Sequence, residues 1–106
     1  MSDLAAQAIE AAVTEVLRTI YDPELPVNIV DMGLIYGIDV DPQGEVTIRM
    51  TLTTPACPAA GTLPAEVQAK TLGVDGVTAC DVKLVWDPPW TRERMSEEAM
   101  LALGLL

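Results

Sequence analysis

The nineteen-residue stretch "LIYGIDVDPQGEVTIRMTL", residues 34–52, constrains the fold more than any other part of the chain. Val46, Ile48, Met50 and Leu52 alternate strictly with Glu45, Thr47, Arg49 and Thr51, a period of two that a helix cannot use. Leu34, Tyr36, Ile38 and Val40 keep a matching parity, and the link Asp41-Pro42-Gln43-Gly44 has turn chemistry. The segment therefore reads as an antiparallel hairpin with one buried face. Directly opposed residues must share a face, so their numbers should have an even sum, near 86. That register sets Gly33 opposite Thr53, and a bulge at Gly44 would shift it by one residue.

The rest of the chain must cover that face. From Leu4 to Ile20 the residues Leu4, Ala5, Ala8, Ile9, Ala12, Val13, Val16, Leu17 and Ile20 form an apolar helical stripe, with Ser2 as N-cap. Pro23 pushes Asp22 out of helical geometry, so the expected end is near Tyr21. A second helix should run to about Leu72. Pro64 is tolerated only in a first turn, which favours a start near Thr62 over a kinked helix from Pro58. The turn Gly73–Gly76 introduces a third strand, Val77 to Trp86. Asp87-Pro88-Pro89 then reads as extended chain. Ser96 follows as an N-cap with Glu97 and Glu98 in the first turn, Met95 and Met100 as a hydrophobic staple, and Gly104 as the stop. The order α-β-β-α-β implies an α+β fold: a small mixed sheet containing the hairpin, helices packed on it, and a proline-rich C-terminal tail ending in a short helix. At 106 residues, half of them hydrophobic, residues 1–106 suffice for one domain.

Charge narrows the function. With 16 acidic and 6 basic residues the chain carries a net charge of −10, the wrong sign for a phosphate backbone or an anionic membrane. A basic protein surface or a cation remains a suitable partner. No apolar run spans a bilayer and "MSDLAAQAIE" lacks a basic leader, so the expected compartment is the cytoplasm, where thiols stay reduced. The chain contains no histidine, which excludes Ser–His and Cys–His catalysis and imidazole zinc sites within it.

The two cysteines have different prospects. Cys80 shares its strand parity with Val82, Leu84 and Trp86, the apolar side, and reads as a small hydrophobe. Cys57 stands in "TTPACPAAG" between two prolines, at or just before the second helix, where a helix N-terminus stabilises a thiolate. The hairpin brings Thr53–Cys57 alongside Asn28–Asp31 and the bend "YDPELPVN". A thiol, the Thr53 and Thr54 hydroxyls and the carboxylates of Asp22, Glu24 and Asp31 should gather at one end of the sheet. The plainer reading has Asp22 and Asp31 capping turns and the threonines satisfying backbone groups. Trp86–Trp90 reads either as a strap over the core edge or as a docking surface.

At these residues the sequence resembles the SufT/PaaD-like iron–sulfur assembly domain family. "DPELPVNIVDMGLIY", "TLTTPACP" and "GVTACDVKLVWDPPWTRERMSEEA" carry the resemblance, in order, over nearly the whole chain. It implies an α/β domain that matures iron–sulfur proteins as carrier, scaffold or targeting adaptor, and not an enzyme in the turnover sense. By position, the family's site falls on Asp22, Glu24, Leu25, Thr53, Thr54 and Cys57. Cys57 is the implied ligand of a transient cluster, and the implied partners are the assembly machinery and apo client proteins. PaaD-type members, accessory to aromatic-ring oxygenation, continue into a cysteine-rich tail, whereas this sequence ends at Leu106 in the manner of the SufT-like branch. One presented cysteine cannot supply four cluster ligands. A homodimer, a client, a small thiol or nearby carboxylates would have to complete the shell. A thiol redox protein using Cys57 is the competing reading, although it lacks both a base and a resolving thiol.

Overall fold

The computed structural model describes residues 3–21, 26–53 and 62–105. Its elements are α1 (Asp3–Leu17), β1 (Ile35–Val40), β2 (Glu45–Met50), α2 (Leu63–Leu72), β3 (Ala79–Leu84), a 3₁₀ turn (Arg92–Arg94) and α3 (Glu97–Ala102). The strands lie in the order β1-β2-β3, antiparallel between β1 and β2 and parallel between β2 and β3. This is the small mixed sheet with packed helices that the α-β-β-α-β order implies.

The alternation in residues 45–52 becomes the centre of the core. Val46, Ile48 and Met50 are buried beneath Ile9, Val13 and Leu17 of α1 and Leu63 and Val67 of α2. Each such fully buried aliphatic side chain stabilises the fold by about 1.5–3 kcal/mol relative to exposure. Helix α1 stops short of Tyr21. Its last turn tightens through Thr19 N–H to Val16 O (3.0 Å) and Ile20 N–H to Leu17 O (3.1 Å), while the Thr19 hydroxyl donates to Val16 O. Ile20 thereby drops into the core, and Tyr21 pairs with Asn28 as an isolated bridge. Ser2 lies outside the described residues.

The register sum of 86 holds from Val40↔Val46 to Gly37↔Arg49, then drops to 85 at Ile35↔Met50. The extra residue is Tyr36, so the bulge sits there and not at Gly44. Thr51 N–H accordingly donates to Leu34 O (2.8 Å), which moves Gly33 opposite Leu52 and not Thr53. Gly44 instead closes the turn in the left-handed region, at φ +84°. The Asp41 carboxylate accepts the Gln43 and Glu45 amide hydrogens, both at 2.9 Å, and these bonds hold it below the ordinary carboxylate range. The same carboxylate pushes its neighbour Glu45 up.

Helix α2 begins after Thr62 with Pro64 in its first turn, as the proline requires. Strand β3 is shorter than the Val77–Trp86 reading, because Val77 N–H is taken by Val74 O in the preceding turn. Cys80 is buried in the core, as its parity indicates.

After β3 the chain bends at Asp87 and Pro88 instead of running straight, and returns over the start of β1. Trp90 Nε1 donates to Met32 O (2.7 Å) and Tyr36 Oη donates to Pro88 O (2.8 Å). The Arg94 guanidinium stacks on Tyr36, 4.5 Å from the ring centre. Gly33, at φ +81°, lies so close to the Arg94 carbonyl that a Cβ could not fit between them. Trp90 thus straps the core, whereas Trp86 stays exposed. The Ser96 hydroxyl accepts from Ala99 N–H (3.1 Å), and Met95 is buried with Met100 packed beside the core, confirming the cap and the staple.

Candidate functional site

The residues inferred from the sequence fall mostly on two segments, 22–25 and 54–61, that lie outside the described residues. Asp22, Glu24, Leu25, Thr54 and Cys57 are among them. What can be placed is the frame from which both segments leave. Tyr21 is bridged to Asn28, and Ile29 N–H donates to Ile20 O (2.9 Å), fixing the turn 28–33 to the end of α1. Leu34 N–H then donates to Ile29 O (3.1 Å), and Thr51 N–H to Leu34 O. Three successive links therefore bring Tyr21, the turn 28–33 and the end of β2 together. Thr53, half-buried, is the last described residue before Cys57.

Asp31 fills the plainer of its two readings. Its carboxylate accepts from Asn28 Nδ2 (2.7 Å), and its own N–H donates to Asn28 Oδ1 (2.9 Å). Arg18 approaches it at 3.7 Å from α1, and its carbonyl accepts Ser96 N–H (2.8 Å) from the tail. One residue thereby ties α1, the turn and α3. Its carboxylate is committed to holding the frame.

Sequence reasoning did not place α3 here. A cleft of about 190 Å³ is lined by Tyr21, Pro26, Val27, Asn28 and Asp31 on one side and by Glu98, Ala99 and Ala102 of α3 on the other. The apolar Met95 and Ala99 were the available signal, since a stapled helix with an apolar side must pack on something. Glu98 thus sets a carboxylate in the wall of the cleft that faces Tyr21 and Asn28.

Cys80 is set as a buried, neutral thiol. Burial pushes it up from the ordinary thiol range, and Asp81 adds to the shift. The Thr71 hydroxyl beside it offsets part of this, too loosely placed for a well-formed hydrogen bond. Among the described residues no three of His, Cys, Asp or Glu gather as metal ligands, and no helix is long and apolar enough to cross a membrane.

Residues 10–84 match the family described as iron–sulfur cluster assembly protein. The chain belongs to that family. A relative from Porphyromonas gingivalis, named Fe-S protein maturation auxiliary factor, is 50% identical over 97 residues, covering 92% of each chain. A stretch of an iron–sulfur cluster carrier protein from Mycobacterium leprae is 31% identical over 83 residues, 78% of this chain and 22% of that longer protein. The crystal structure of a domain of unknown function from Bacillus anthracis superposes with a TM-score of 0.90 at 38% identity, covering 99% of this chain and 100% of that one. The likeness to that structure therefore extends over the strap and α3, beyond residues 10–84.

Proposed function

We propose that this protein is a maturation factor for iron–sulfur proteins, handling the cluster as transient cargo through Cys57. The observation that carries the reading is the near full-length identity to a protein named as such a factor. The likeness to part of a cluster carrier supports the carrier version of the role. The frame is suited to it: the segments bearing Cys57, Asp22 and Glu24 both leave from one cross-linked end of the sheet. A cluster generally needs four ligands. Cys57 would therefore hold one corner while a client, a small thiol or a second copy completes the shell, which suits handover better than storage. The protein acts by delivery and not by turnover.

The test is anaerobic reconstitution with iron and sulfide of the wild type, Cys57→Ser and Cys80→Ser, followed by transfer to an apo iron–sulfur client. Absorbance, native mass and client activity are the readouts. Wild type and Cys80→Ser should activate the client, and Cys57→Ser should not. Equal activation by Cys57→Ser would remove Cys57 from the function.

A further inference from the structure

Among the described residues strand β3 is an edge of the sheet, and its outer side carries no strand. Backbone groups of successive strand residues point to opposite sides. Val85 N–H donates inward to Met50 O (2.9 Å), so Lys83 and Asp81 share the inward direction. Cys80, Val82 and Leu84 then present their N–H and C=O groups outward. Gln68 Nε2 donating to Cys80 O (2.9 Å) from α2 agrees with that parity. It also covers one outward carbonyl; the groups of Val82 and Leu84 remain an open template for another strand.

We propose that this edge joins two copies of the chain. The β3 strands pair antiparallel about a two-fold axis at Val82, giving one continuous sheet with three strands from each copy. The strand's own sequence selects that register. In an isologous pairing centred on Val82, Val82 faces its symmetry mate and Cys80 faces Leu84, both as hydrogen-bonded pairs, the Leu84 N–H taking the Cys80 carbonyl in place of the Gln68 amide. Asp81 then faces Lys83 twice, in the non-hydrogen-bonded positions where side chains approach most closely. Among the described residues neither Asp81 nor Lys83 has an ion-pair partner within its own chain. Sliding the register to centre on Asp81 sets Asp81 against Asp81, and centring on Lys83 sets Lys83 against Lys83. Both neighbouring registers are repelled, and the one between them is matched in charge.

Exposed apolar groups lie on β3, just after it and at the end of α2. Leu84 is 36% exposed, Trp86 42% and Leu72, next to Thr71 at the end of α2, 46%. In the Val82-centred pairing Leu84 comes opposite Cys80 of the other copy, at the end of β3 that Leu72 flanks, and Trp86 comes opposite Thr78. The interface is short and each copy carries a net charge of −10, so the dimer is weak, with a dissociation constant on the order of 100 µM. This inference is independent of the role of Cys57.

Sedimentation velocity over a concentration series, with amide exchange followed by NMR on the same full-length chain, tests it. The wild type should dimerise, and the Val82 and Leu84 amides should gain protection with concentration while Asp81 and Lys83 are already protected at dilution. Asp81→Lys and Lys83→Asp each create two like-charge contacts and should weaken the dimer about tenfold or more. The double swap Asp81→Lys with Lys83→Asp should restore it to within about threefold of wild type. Circular dichroism confirms that each variant is folded. A wild type still monomeric at about 1 mM overturns the proposal and leaves the edge for a strand of different origin. So does a dimer whose Val82 and Leu84 amides gain no protection, or a double swap as weak as the single reversals.

Discussion

Strands β1 and β3 are the two edges of one sheet, and the chain treats them differently. The start of β1 is held by the returning tail through Trp90 to Met32, Tyr36 to Pro88 and the close passage of Arg94 over Gly33. Among the described residues the outer side of β3 has only the Gln68 amide across its Cys80 carbonyl. A covered edge can carry apolar residues on both faces, while a bare one must rely on charge to choose what pairs with it. The first edge adjoins the turn 28–33, which is bridged to Tyr21 and linked to the end of β2. The second faces away from the strap.

The difference can be broken most forcefully at Gly33. Replacement by valine adds a branched side chain at positive φ against the Arg94 carbonyl, and should lower stability by about 3 kcal/mol or more, read by urea unfolding. Trp90→Ala removes a half-buried ring and its bond to Met32 O, with an expected loss of about 2–3 kcal/mol. Both changes should loosen the tail, so proteolysis near Arg92 and Arg94 should accelerate. An unchanged cleavage rate in both variants would mean that the strap is not what secures the tail. Ser96→Ala removes the α3 cap at a cost of about 1 kcal/mol, and Thr in its place should recover most of it.

The smallest effect belongs to the β3 side and depends on pH. The Cys80 thiol is pushed up in the folded chain, so folding favours its neutral form. Its contribution is complete below the unfolded thiol value of about 8.5 and is lost as pH rises from there through the folded value. The stability gap between wild type and Cys80→Ala should therefore narrow in alkaline solution, measured by urea midpoints across that range. A gap that widens with pH would contradict the burial of the thiol.

Much of this was legible in the sequence, for identifiable reasons. The hairpin followed from strict alternation, the start of α2 from Pro64, and the Ser96 cap from its neighbours Glu97 and Glu98. The buried setting of Cys80 followed from parity alone. The bulge was misplaced because Gly44 carries the usual signal for irregular backbone, whereas Tyr36 carries none. Its position is set by the strap that binds its hydroxyl, a contact between residues 52 apart in sequence. The same distance problem hid Glu98, since nothing local shows that α3 folds back beside Tyr21 and Asn28. Of the inferred site, Thr53 and Asp31 could be placed, and Asp31 proved to be a structural tie.

Thr51 has the strand parity of Thr47 and Arg49, which lie half-buried and exposed, yet it is wholly enclosed. The open face of the sheet therefore closes at this one end, where helices lie on one side and the returning tail on the other. A pull on the backbone at Thr53 meets resistance from both layers together.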